Sequence, residues 1–164
     1  MSRAFVNEDN AAAQADQPVE RQVSAQPNYV TPTGLIQLQA KVAELQQQLS
    51  AESAKGEQPD KQRQADLQRD LRYFNQRVLS AQVITPASST QKVQIGSRVT
   101  FADEHNAEQT VQLVGEDQAD ASAGLINWGS PLGRALLGAQ LGDEVLWQRP
   151  AGDQLIEIIR IEPA

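Results

Sequence analysis

The chain has 164 residues, room for one ordinary domain plus an elongated appendage, or for two small domains. Its formal charge of -7 and pI near 4.7 exclude a protein that grips nucleic acid by itself, because neutralising phosphates needs clustered Lys and Arg; a basic protein surface or a metal ion suits it better. The absence of cysteine excludes disulfides, thiol catalysis and Cys-ligated zinc, and no run approaches the ~20 apolar residues of a membrane span, so a cytoplasmic location is expected.

Residues 1–28 are rich in Ala, Gln, Asn, Asp and Pro, with one small apolar patch at Ala4-Phe5-Val6, and are expected to be a mobile tail. A helix should begin at Thr31-Pro32, where a hydroxyl can cap and a first-turn proline gives up no hydrogen bond. Leu35, Leu38, Val42, Leu45 and Leu49 then step by three and four residues as a heptad seam. Lys55-Gly56-Glu57-Gln58-Pro59-Asp60 reads as a turn. The same seam resumes at Leu67, Leu71, Phe74, Val78 and Ala81, so residues 29–84 predict an antiparallel coiled-coil hairpin, since neither narrow stripe is stable alone. Arms of roughly 22 residues would project ~33 Å.

Residues 85–91 lack periodicity and are expected to be a linker. From 92 to 164 the pattern becomes that of a β-rich domain. Short strands are expected at Val99–Phe101, Thr110–Val114, Gly124–Trp128, Glu144–Gln148 and Gln154–Ile161, with a turn at Asp103–Asn106. One short helix is predicted over Ser130–Gly138, with an N-cap serine, a first-turn proline and a terminal glycine. The fold class expected is α+β, a helical hairpin followed by a small sheet carrying one helix.

Signatures of catalysis are sparse. His105, the single histidine, lies in a polar turn and reads as an ordinary solvated residue. The glycines at 124, 129, 133, 138 and 142 lack dinucleotide or P-loop spacing. Glu116, Asp117 and Asp120 lack the spacing and glycine of an EF-hand and read as a solvated acidic loop. Glu57 and Asp60 stand apart, because two carboxylates around a turn at the end of a rod could share one hydrated divalent cation that a partner already holds. Against this, polar helix tips and acidic first turns are common without any ligand.

Four phrases carry a family resemblance: Pro27 to Leu35, Ser80 to Ile84, Val114 to Asp120, and Ser130 to Gly138 followed by Leu141-Gly142-Asp143-Glu144-Val145. From about Asn28 onward the chain resembles the bacterial Gre family of transcription elongation factors. The resemblance implies an N-terminal antiparallel coiled coil that enters the secondary channel of RNA polymerase. It also implies an FKBP-like C-terminal domain anchored at the channel rim, and nucleic acid met only indirectly. It implies further that two tip acids help hold a magnesium ion in the polymerase's own active site, and these fall on Glu57 and Asp60. The anchoring surface falls on Ser130, Pro131, Leu132 and Arg134, the last two packing or bracing the helix.

Two departures bear on cleavage. After its second acid the family tip runs into an asparagine-alanine stretch with an acid and an aromatic, whereas this chain has Lys61-Gln62-Arg63-Gln64, whose basic residues would compete for the carboxylates. Each arm is also shorter by about one heptad, which withdraws the tip by about 10 Å, too far for first-hand contact with a reaction centre. The expectation is a monomeric, non-enzymatic, RNA polymerase-binding regulator of elongation with no cofactor of its own beyond a jointly held Mg2+. The first alternative is a genuine transcript-cleavage factor using Glu57 and Asp60. The second is a coiled-coil dimerisation or adaptor module; a prolyl isomerase is disfavoured, since an aromatic pocket lining is lacking.

Overall fold

The computed structural model describes residues 19–56 and 58–164. It is a mixed α+β chain whose described residues divide into two compact units, one formed by residues 19–25 and 39–79, the other by 26–38 and 80–164. The expected tail lies outside the described residues as far as position 18.

In the first unit, the helix α1 (Pro32–Ser53, shared in sequence with the second unit) is followed by a turn and by α2 (Lys61–Ser80). Both helices stand where the spacing predicts them. Leu45 and Leu67 are buried, and Val42, Leu49, Leu71, Phe74 and Val78 are half-buried, while most of the intervening Gln, Lys and Glu side chains are exposed. Arg77 in the last turn of α2 is also buried, a cation at the helix end where the macrodipole favours one. The segment before α1 is engaged with α2. Glu20 pairs with Arg72, which holds its carboxyl below the usual glutamate range. Arg21 lies 4.0 Å over the Tyr73 ring and 3.6 Å from Asp70.

The second unit holds the sheet. Strands β1 (Tyr29–Val30) and β2 (Gln82–Val83) pair in parallel, with Gln82 N–H donating to Asn28 O and Ile84 N–H to Val30 O. Sequence periodicity cannot detect two-residue strands, so this pairing was not foreseen. The larger sheet has the order β5-β4-β3-β7-β6, built from β3 (Arg98–Ala102), β4 (Glu108–Val114), β5 (Leu125–Asn127), β6 (Glu144–Trp147) and β7 (Gln154–Glu162). Only β4–β5 is parallel. The short helix α3 (Pro131–Leu136) supplies Leu132 and Leu136 to a core shared with Val99, Phe101, Leu113 and Ile158.

A bulge between Thr100 and Phe101 resets the alternation of β7. Ile156 and Ile158 face inward; after the bulge Ile161 does so, and Ile159 is left exposed. The turn after β3 is held by Asp103, whose Oδ1 accepts the amides of Ala107 and His105. Those bonds, Ala107 first, keep its carboxyl below the usual aspartate range. His105 is exposed.

The acidic stretch differs from the expected solvated loop. Glu116–Gln118 forms a 3-10 turn whose side chains are half-buried, and Asp120 Oδ1 accepts the Ser122 amide at the start of the next such turn. The cause is a meeting of two of the four phrases singled out in the sequence. Thr31 Oγ donates to Gln118 Oε1 at 2.6 Å, and Tyr29 stacks obliquely on Trp128 at 5.3 Å. A side chain at Gly115 would stand 2.5 Å from the Tyr29 carbonyl, so only glycine admits β1 there. These motif residues therefore serve first to fold the second unit.

Candidate functional site

Two places could carry function, one in each unit. The first is the turn between α1 and α2. The chain leaves α1 at Ser53 and reverses through Gly56, which adopts φ +74°. Glu57 lies outside the described residues. Asp60 is exposed and acts as the N-cap of α2, its Oδ1 accepting the Arg63 amide at 3.0 Å. Its carbonyl accepts the Gln64 amide at 3.0 Å. The residue predicted as half of an acidic pair thus has one carboxylate oxygen committed to its own helix.

The carboxylate that sequence reasoning missed is Glu52, only 2% exposed in the last turn of α1. Its Oε1 accepts the Asp60 amide at 2.9 Å, and Oε2 meets Lys55 Nζ at 2.9 Å and Arg63 Nε at 3.5 Å. The Arg63 guanidinium, expected to compete for the tip acids, goes instead to Glu52, and only its main-chain amide goes to Asp60. The Lys55 ammonium, then the Asp60 amide, hold the Glu52 carboxyl below the usual glutamate range, against the opposing cost of burial. A group depressed in this way stabilises the turn at neutral pH and loses that contribution as pH falls through its folded pKa, below the ordinary value of about 4.3. A carbon-detected NMR titration should find Glu52 titrating below a free glutamate; titration at or above that value would contradict the pairing. Among the described residues, no group of three or more His, Asp or Glu side chains is placed to hold a metal ion. Asp60, half used as a cap, has its second carboxylate oxygen left for any cation brought to it.

The second place is in the sheet unit. Ser130 caps α3, with Oγ accepting the Gly133 amide at 3.2 Å and donating to Asn127 O at 2.7 Å. Pro131 is exposed at the first helical position, Arg134 is exposed, and Leu132 is 5% exposed within the core. Leu132 thus packs, while Pro131 and Arg134 face outward. Ser130, Pro131 and Leu132 also border an open groove of about 570 Å3 whose far wall is Trp147, Arg149 and Pro150. Arg149 lies 5.1 Å from the Trp147 ring centre, a cation on an aromatic face. Trp147 and Arg149 were not foreseen, because the far end of a strand carries no local signal of what it faces. An apolar trough with an aromatic wall and flanking cation suits a partner's side chains.

Charge separates the parts of the chain. Residues 92–164 carry eleven Asp and Glu against five Lys and Arg, whereas residues 29–84 carry six against seven.

The family described as "Transcription elongation factor, GreA/GreB, C-term" matches residues 88–163. The chain is 33% identical over 152 residues to transcription elongation factor GreB of Neisseria meningitidis serogroup B, covering 82% of this chain and 93% of that protein. It is 37% identical over 103 residues to transcription elongation factor GreA of Sphingopyxis alaskensis, covering 62% of this chain and 65% of that protein, just under two thirds of its length. Among solved structures, GreA factor homolog 1 of Thermus thermophilus is a loose neighbour, with 18% identity and a TM-score of 0.41 over 84% of this chain and 99% of that one.

Proposed function

The chain belongs to the GreA/GreB family of transcription elongation factors, and on that premise we propose that it binds RNA polymerase and regulates elongation through the secondary channel, without strong stimulation of transcript cleavage. In this reading α1 and α2 form an antiparallel coiled-coil hairpin that probes the channel. The sheet unit, FKBP-like in architecture, is the anchor, and the chain works as a cytoplasmic monomer. It is not itself an enzyme; any chemistry is the polymerase's own.

The observation that carries this reading is the state of Asp60 and Glu52, the described carboxylates beside the turn. A group that completes a metal site must be held to a fraction of an ångström and must have its oxygens available. Asp60 spends one oxygen capping α2, and Glu52 is enclosed by Lys55 and Arg63. Arms of 22 and 20 residues give about 33 and 30 Å of helix. The acidic surplus of the sheet unit supports docking on a basic rim, by an association that weakens as salt rises. The groove between Pro131 and Trp147 supports the same unit as anchor. Magnesium would be shared with the polymerase, Asp60 contributing at most its second oxygen.

The deciding experiment adds the purified chain to stalled, backtracked elongation complexes with magnesium. We expect co-elution with polymerase and altered pausing or elongation, with cleavage changed by no more than roughly twofold. Strong cleavage that disappears in a Glu57→Ala/Asp60→Ala double variant would establish the alternative, a true cleavage factor. A lasting dimer that fails to co-elute with polymerase core would favour an adaptor module instead.

A further inference from the structure

We infer that Glu52 is the positioning residue of the hairpin tip, acting through Asp60; this rests on the proposed action at RNA polymerase. The contacts form a closed circuit. Glu52 Oε1 reaches across the turn to the Asp60 amide, the Asp60 carboxylate turns to the Arg63 amide, and the Arg63 guanidinium returns to Glu52 Oε2. Lys55 closes the same oxygen from the other side of the turn at 2.9 Å. The last turn of α1 is thereby tied directly to the first turn of α2.

The tie has a purpose that helix formation alone does not require. Asp60 already caps α2 through its side chain, so α2 has a start signal without Glu52. The bond from Glu52 goes instead to the amide of Asp60 itself, and so sets where the cap residue stands relative to α1. A carboxylate enclosed in this way is costly to bury unless its bonds are all made, and here it has three partners. The neighbouring turn is otherwise an open one, with Lys55, Gly56 and Gln58 all exposed. A further bond across the same turn, from Gln64 Nε2 to Ser53 Oγ at 3.3 Å, is exposed, so Glu52 supplies the buried part of the tie. If the tip acts inside a narrow channel, misplacing it should reduce what it does there and not how firmly the chain is anchored.

The test compares wild type, Glu52→Ala and Glu52→Gln in the full-length chain. For each, polymerase affinity and the change in elongation at saturating chain are measured separately, with amide exchange followed at Asp60. Alanine is at least as good a helix former as glutamate, so helix content should stay constant by circular dichroism. We expect Glu52→Ala to lose protection at the Asp60 amide and to reduce the saturating effect by roughly tenfold, since a misplacement of ~1 Å can cost a hundredfold. Its affinity should stay within about twofold of wild type. Glu52→Gln keeps an acceptor for the Asp60 amide and should retain at least about half of the effect. The inference is overturned if Glu52→Ala acts as fully as wild type, if affinity and effect fall together, or if glutamine is as poor as alanine. Failure of the wild-type chain to bind polymerase would overturn the functional reading and this inference with it, and would be visible before any variant was compared.

Discussion

Replacing Gly133 with alanine is expected to unfold much of the sheet unit, lowering its stability by about 3 kcal/mol, the upper end of what overpacking costs. A methyl group at this position would stand 2.3 Å from the Asn127 carbonyl oxygen and 2.5 Å from that of Trp128. Both are backbone atoms, and neither can retreat freely. Asn127 O accepts from the Ser130 amide and from Ser130 Oγ, so moving it breaks the cap of α3. Asn127 is also the last residue of β5, in register with Val114, and the Trp128 amide donates to Val114 O. Relief of the clash therefore means loss of the cap, the edge strand, or both. For a unit of this size the loss corresponds to a fall in Tm on the order of 15 °C. Trp128 and Trp147, the chain's two tryptophans, both lie in this unit, so fluorescence reports its unfolding directly. Gly138→Ala is the control, since its φ of +81° makes alanine strained but nothing lies within 4 Å. A loss of about 1 kcal/mol is expected there. Equal losses at the two positions would show that backbone conformation, and not the close approach, is what Gly133 supplies.

Leu113→Ala is the second large effect, with an expected loss of about 3 to 4 kcal/mol. Leu113 has no exposed surface and stands on an interior strand, β4, between β3 and the edge strand β5. Its amide donates to Ser97 O and its carbonyl accepts from Gly96, so the backbone around it is pinned from both sides. A pinned backbone cannot collapse into the space left by the lost methyl groups, and the cavity term is then fully felt. Leu146→Ala, on the edge strand β6 and 47% exposed, removes the same atoms and should cost no more than about 0.5 kcal/mol. Urea denaturation separates the two. The midpoint should fall several-fold further for Leu113→Ala at an unchanged slope; similar midpoints would mean that the core is not centred on β4.

Much of the architecture was legible in the chain because the signals are local. Thr31-Pro32 opens α1, Ser130-Pro131 opens α3, and each expected strand of the sheet unit has a counterpart, from Arg98–Ala102 to Gln154–Glu162. Caps, fixed proline angles and side-chain periodicity act within a few residues, so a sequence displays them openly. The acids of the candidate site were legible as residues but not in their roles. Asp60 could be named from its place in the turn; that its carboxylate is a cap follows only from where α2 begins. Glu52 offered no signal, because a glutamate late in a polar helix reads as solvated until Asp60 and Arg63 are folded back against it.

By itself, the sequence determined the seam of the helices, the positions of most elements, and the acidic balance that points to a basic partner. Only the tertiary structure decided that β1 pairs with β2, that Gly115 and Gly133 are held by close approach and not by turns, that Leu132 is core while Pro131 and Trp147 border a groove, and that Glu52 ties the tip. The physical reason is common to all four. Each depends on contacts between residues apart in sequence, and burial of a charge or exclusion of a Cβ is a property of what another segment brings, not of the residue that bears it.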